Sequence, residues 1–233
     1  MGPSFRFLGV VFDKELRMHE AIAKLAVDAG WRLQALLRTR RFHGTSSLIR
    51  LYKAQILSFL EAATPAIVHA APSQLDRIDR IQRRFLREIG LSEYEALSKY
   101  KLAPLETRRD IAMLGLLQKV ALGLAHPELA KLFPKKQISS GRLFTSVFAM
   151  RHDKQLCERF IRCSDYIRRS AFGFVFIYNA LPQAAVNLSV RQLQGCLQSV
   201  ILRRAASETN DWQSFLRQGA SFRSIRDFQA FFL

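Results

Sequence analysis

Residues 72–90 constrain the fold more than any other segment. At about 100° per residue, Leu75, Ile78, Ile81, Phe85, Leu86 and Ile89 share one face of a helix. Arg77, Arg80, Arg84 and Arg87 fall within an arc of roughly 80° on the opposite face, and Arg83 flanks that arc. A helix built this way is not stable alone in water, because its apolar stripe must be covered by other elements. Ser73-x-x-Asp76 after Pro72 reads as a cap-like start, and Gly90 as the C-terminal cap.

The elements that could cover it are also helical. Leu16, Ile22, Leu25, Ala29, Leu33 and Leu36 form a stripe in a helix expected over Leu16–Leu37, followed by Arg38, Arg40 and Arg41. From about Thr45 to Pro65, apolar residues cover most of a helix circumference, which marks a buried helix that Pro65 kinks or ends. Ser92-x-x-Glu95 is a capping box for a short helix. Pro104 opens a longer one, with Leu105, Ile111, Leu114, Leu117, Val120 and Leu124 as its buried stripe. His126-Pro127 breaks that helix, and one more turn reaches Phe133. Pro134–Gly141 is the best linker candidate. A helix over Lys154–Tyr178, a stop at Leu181-Pro182 and a helix capped by Ser189-x-x-Gln192 follow, and an aromatic, basic segment closes the chain from Trp212. Its Phe215, Phe222, Phe228, Phe231 and Phe232 require a packing partner or form an exposed patch. Only Phe5–Phe12 reads otherwise, as one short β-strand with a kink or bulge at Gly9. The expected fold class is therefore all-α, a helical bundle with one short N-terminal β-strand.

Charge narrows the partners. Thirty-six Lys and Arg against 19 Asp and Glu give the 233 residues a formal net charge of +17. The excess is spread, with net +10 up to Lys136 and +7 after it, so a folded basic surface is expected rather than a basic tail. Such a charge favours polyanions, nucleic acid first and an anionic membrane surface second. Arginines outnumber lysines 26 to 10, and the guanidinium fork suits phosphate and stacks on bases. No apolar run approaches the roughly 20 residues that span a bilayer. The N-terminus lacks the pattern of a signal peptide. Three cysteines, Cys157, Cys163 and Cys196, form no disulfide framework and fit a reducing, intracellular compartment.

No catalytic constellation can be assembled. There is no Gly-rich phosphate loop, Gly-x-Ser-x-Gly, His-Glu-x-x-His or Cys-x-x-Cys. His152, Cys157 and Cys163 do not have zinc-finger spacing and read as incidental. Asp76 and Asp79 alternate with Arg77 and Arg80 and read as a cap and a local ion pair rather than metal ligands. Neither a cofactor nor a metal site is expected.

Several segments resemble, in order, the region after the palm motif of non-LTR (LINE-type) retrotransposon reverse transcriptases. Phe7-Leu8-Gly9-Val10 with Phe12-Asp13 resembles that family's Phe/Tyr-Leu-Gly-Val segment. Leu48-Ile49-Arg50-Leu51-Tyr52-Lys53 with Ile56-Leu57-Ser58-Phe59-Leu60 is similar to its Leu-Tyr-Lys…Ile-Leu-Ser-x-Leu helix. Leu75, Ile78 and Ile81-Gln82-Arg83-Arg84 resemble its Leu-x-x-Ile/Leu-x-x-x-Gln-Arg-Arg helix, and Leu102-Ala103-Pro104-Leu105 with Arg108-Arg109 the segment after it. Arg168-Arg169-Ser170 and Tyr178-Asn179-Ala180-Leu181-Pro182 resemble the family's Arg-Ser…Trp-Asn-x-Leu-Pro close, with Tyr178 in place of Trp.

The resemblance implies a primer-grip-like strand at 1–14, carried by Phe7, Leu8, Gly9 and Val10, a thumb-like helical domain at 15–133, a linker at 134–147 and a C-terminal helical extension at 148–233. A thumb of this kind grips an RNA–DNA or RNA duplex through its phosphate backbone. Arg77, Arg80, Arg83, Arg84 and Arg87 are the first candidates for that contact, with Arg38, Arg40 and Arg41 second. The family's metal-binding aspartates lie upstream of Phe7, so the chain is expected not to polymerise DNA by itself. The family's Cys/His knuckle is absent. A nuclear or cytoplasmic location is implied, with a palm or fingers domain in trans as a further partner and no membrane. The alternatives are a helical protein-interaction module, its Phe-rich ends docking onto a protein, and a non-functional remnant.

Overall fold

In a computed structural model, residues 4–7, 9–136, 152–158, 165–207 and 212–218 are described. They are all-α apart from one N-terminal β-hairpin, as the helical periodicities predict. The chain divides into two compact units, residues 1–109 and 110–233.

The first unit begins with β1 (Ser4–Phe7) and β2 (Val10–Asp13). The expected single strand is thus two. Gly9 takes φ +85°, which a residue with a Cβ rarely adopts, and turns the chain so that β1 pairs antiparallel with β2 in the register Phe5↔Phe12 and Phe7↔Val10. The backbone groups of β2 find their partner within the chain. The rings of Phe5 and Phe12 stack 5.3 Å apart. β2 packs on the helices, whereas all four residues of β1 are exposed.

The first helix, α1 (His19–Arg38), starts later than its apolar pattern suggests. Leu16 and Met18 adopt left-handed backbone (φ +53° and +62°), each costing about 1–2 kcal/mol, so the helix cannot include them. The Asp13 carboxylate accepts from the N–H of Arg17 (2.8 Å) and Met18 (2.6 Å), and Met18 is fully buried, which offsets that cost. Burial pushes the Asp13 carboxyl up, but these backbone donors outweigh it and hold it below its ordinary value.

After a 3₁₀ turn at Arg40–Phe42 come α2 (Thr45–Tyr52), a π-helical turn (Lys53–Leu57) and α3 (Ser58–Ala62). Around the π turn, Lys53 Nζ donates to the Tyr100 carbonyl (2.6 Å) and Arg32 to the Gln55 carbonyl (3.1 Å). The break comes at Ala63, and Pro65 sits in the first turn of α4 (Thr64–Ile67).

The amphipathic helix is α5 (Pro72–Glu88). Pro72 and Ser73 lie inside it and no side chain caps it, because Pro72 occupies the first turn where its missing N–H costs nothing. Gly90 (φ +69°) closes it in a Schellman motif, with Gly90 N–H on the Arg87 carbonyl (3.2 Å) and Leu91 N–H on that of Leu86 (3.0 Å). Leu75, Ile78, Phe85 and Leu86 are buried against Ile22, Ala29, Leu33 and Leu36 of α1 and against Tyr52, whose ring stacks on Phe85 at 4.2 Å. Each such side chain contributes about 1.5–3 kcal/mol by leaving water. The helix α6 (Glu93–Tyr100) carries the expected capping box of Ser92 and Glu95.

The helix α7 (Leu105–Ala121) follows Pro104 and contains the division between the units. Ile111, Leu114, Leu117 and Val120 are buried, but the helix ends before Leu124, which is 63% exposed. In the second unit, His126 caps α8 (Pro127–Leu132) by accepting from the Glu128 N–H. The single helix expected over Lys154–Tyr178 is not formed. Lys154–Glu158 run irregularly, with Leu156 bridged antiparallel to Lys135, and α9 (Asp165–Arg169) is separated by the capping Ser170 from α10 (Ala171–Asn179). The cause is Asn179, whose side chain accepts from the Leu156 N–H (2.9 Å) and donates to the Leu156 carbonyl (2.9 Å), replacing helical partners. Then come α11 (Gln183–Val186), α12 (Val190–Ala206) with the expected Ser189–Gln192 capping box, and α13 (Phe215–Gln218). Phe215 is buried, while Phe222, Phe228, Phe231 and Phe232 lie outside the described residues. So does the linker beyond Lys136.

Candidate nucleic-acid interface

Every arginine predicted for the interface is exposed. Arg77, Arg80, Arg83, Arg84 and Arg87 line the solvent side of α5, opposite its buried stripe. At 1.5 Å per residue they extend over about 15 Å of helix. They are not equally available. Asp76 accepts from Arg80 (2.6 Å) and Arg83, and those two guanidinium groups, Arg83 foremost, hold its carboxyl below the ordinary range. Among the described residues no carboxylate pairs with Arg77, Arg84 or Arg87.

The second arginine set is brought to the same end of the unit. His69 Nε2 meets the Leu16 carbonyl (2.9 Å) where α1 and α5 begin, and Arg40 pairs with Glu88 where they end. The two helices therefore run in the same direction, with their C-terminal ends together. Arg38, Arg40 and Arg41 are exposed where α1 ends, and Arg84 and Arg87 in the last two turns of α5. Cations at paired helix C-termini are locally favourable, because both ends carry partial negative charge. The Arg41 guanidinium also lies over the Phe42 ring, 4.7 Å from its centroid. Phe42 and Trp31 are among the most exposed aromatics of this unit and were not singled out by sequence. The signal was the Arg40-Arg41-Phe42-His43 run before Gly44.

Of the primer-grip-like residues, Phe7 and Gly9 are exposed, Val10 is half-buried against the helical core, and Leu8 lies outside the described residues. Apolar residues of the other segments that carry the family resemblance pack the interior. Leu48, Tyr52, Ile56, Leu57 and Leu60 are core. Gln82 is buried and donates to the Ala103 carbonyl (3.0 Å), tying two of those segments together. Arg109 forms a two-fold hydrogen-bonded pair with Asp79 (2.7 and 2.8 Å), and Arg108 pairs with Glu61 at 2.5 Å. Asp79 thus points to a partner 30 residues away rather than to a local one. Burial pushes the Tyr52 phenol far up, so it stays protonated.

In the second unit, the Tyr178 hydroxyl donates to Gln118 (2.6 Å), and Gln118 donates to the carbonyls of Val186 and Leu188. His152 is buried, accepting from the Lys154 N–H (3.2 Å) and meeting the Tyr178 carbonyl (3.2 Å), so it holds structure rather than a ligand. Cys157 and Cys196 are unbridged, and Cys163 lies outside the described residues. Among the described residues no group of three His, Cys, Asp or Glu could hold a metal ion, and no helix is long and apolar enough to cross a membrane. Comparison with protein-family models, with curated proteins and with solved structures finds no match to this chain.

Proposed function

We propose that the protein binds a nucleic-acid duplex through its phosphate backbone, as the thumb-like region of a non-LTR-type RNA-directed DNA polymerase, and does not itself polymerise. The observation that carries this reading is the one-sidedness of α5. Its apolar face is fixed in the core, so its arginines are held on a rigid ridge facing water. Backbone contacts of this kind position a duplex without reading its sequence.

The test is fluorescence-anisotropy titration with an RNA–DNA hybrid at several salt concentrations. The expected result is an affinity that falls steeply with salt, by about 0.9 logarithmic units per decade for each phosphate neutralised. An affinity nearly constant from low to moderate salt overturns the reading. Primer extension on an RNA template with Mg²⁺ is expected to yield no product from this chain alone.

A second reading has its own observation. The outer strand β1 leaves Phe5 and Phe7 exposed. In that reading the hairpin docks onto a protein, such as a palm or fingers domain in trans. Docking of that kind is insensitive to salt and to the α5 arginines.

A further inference from the structure

We propose that Phe42 is a stacking platform for unpaired nucleotides at the point where a strand leaves the duplex held by α5. The inference rests on the duplex-binding reading and adds to it a ligand that α5 alone would not select.

Exposed single apolar residues are ordinary, so exposure at 69% for Phe42 carries nothing by itself. Its setting does. Phe42 does not sit on a loose loop. Its N–H donates to the Thr39 carbonyl (2.9 Å), the His43 N–H to that of Arg40 (3.2 Å), and the Thr39 hydroxyl to that of Leu36 (2.8 Å). The Arg40–Glu88 pair then fixes this turn to the end of α5. The ring is held in place before any ligand arrives, so little ordering entropy opposes binding. Arg38, Arg40 and Arg41 immediately precede Phe42 in the chain, and the Arg41 guanidinium adjoins its ring.

This pairing of an exposed ring with a guanidinium matches one ligand chemistry. A paired base hides its faces in the stack, whereas an unpaired base offers a π-face to an aromatic ring while its phosphate meets the neighbouring arginine. The Arg41 guanidinium already over Phe42 strengthens such a stack. An apolar protein partner would meet the Arg41 guanidinium over the ring and the exposed Arg38 and Arg40 just before it in the chain.

The experiment compares a blunt RNA–DNA hybrid with the same hybrid carrying a short single-stranded 3′ overhang. The first unpaired base is 2-aminopurine, whose fluorescence falls on stacking. The wild-type protein is expected to bind the overhang probe roughly 5- to 100-fold more tightly than the blunt one and to quench the 2-aminopurine. Phe42→Ala should bring the two affinities within about twofold and restore fluorescence, leaving the blunt affinity, its salt slope and the melting temperature unchanged. Phe42→Trp should keep the preference. Equal binding of both probes by the wild type, or equal loss on both from Phe42→Ala, overturns the platform and leaves the α5 grip standing. Binding of neither probe overturns both.

Discussion

In the first unit, α5 keeps Leu75, Ile78, Phe85 and Leu86 inside and leaves Arg77, Arg80, Arg83, Arg84 and Arg87 in water. In the second, α7 and α10 bury Gln118, Tyr178 and Asn179, whose hydrogen bonds hold the segments at 154–158 and 186–188. The same residue classes therefore do different work. Polar groups on the outside of an apolar helix are free to meet a ligand and contribute little to stability. Polar groups inside a satisfied network hold irregular chain in place, and each becomes costly once its partner is gone. Substitutions in the two regions should accordingly separate into those that change binding and those that change stability.

The largest effect tests the exception in the first unit, the part-buried Asp79–Arg109 pair. Asp79→Ala leaves Arg109, only 5% exposed at its side chain, without a counter-charge. It is expected to cost about 3–5 kcal/mol in chemical denaturation. A cost under 1 kcal/mol would mean that Arg109 reaches water and that the first unit has no charged interior.

Next is Asn179→Ala, which removes both hydrogen bonds to Leu156 and the one to Glu158 (2.8 Å). Leaving the two buried backbone groups of Leu156 unpaired is expected to cost about 2–4 kcal/mol and to speed hydrogen exchange at the Leu156 amide. Hybrid binding at a temperature where the variant stays folded should not change. A loss of binding without a loss of protection at Leu156 would break the division between the regions.

The smallest effect sharpens it. Asp76→Asn releases Arg80 and Arg83 from their shared carboxylate. Binding of an RNA–DNA hybrid should tighten by about threefold at low salt and the salt slope should steepen, with stability changed by less than about 0.5 kcal/mol. Weaker binding would show that Asp76 orients those arginines rather than masking them.

Local patterns were legible in the sequence. The stripes of α1 and α5, the capping boxes at Ser92 and Ser189 and the stop at Gly90 depend on residues within a few positions of one another, and all appear where the spacing puts them. What the sequence did not disclose depends on distant partners. The irregular course of 154–158 is set by Asn179, more than 20 residues on. The π turn lies where Lys53 reaches the Tyr100 carbonyl. Ser73-x-x-Asp76 has the spacing of a cap, yet Pro72 already fills the first turn and Asp76 turns to Arg80 and Arg83. Gly9 reads as a kink or bulge within one strand, whereas the pairing of Phe5 with Phe12 makes it a turn between two. For the candidate interface, the α5 face was fully visible. The meeting of its C-terminal end with Arg40 and Phe42 was not, since the Arg40–Glu88 contact joins residues 48 apart.

The central claim, that the α5 ridge holds a duplex by its phosphates, is tested most directly by the salt dependence of hybrid binding in wild type and in a variant with Arg77→Gln, Arg80→Gln, Arg84→Gln and Arg87→Gln. The account predicts that the variant melts within a few degrees of wild type and that its plot of log affinity against log salt is shallower by about 3 units. Two parallel lines of equal slope, with the protein folded in both cases, would contradict it.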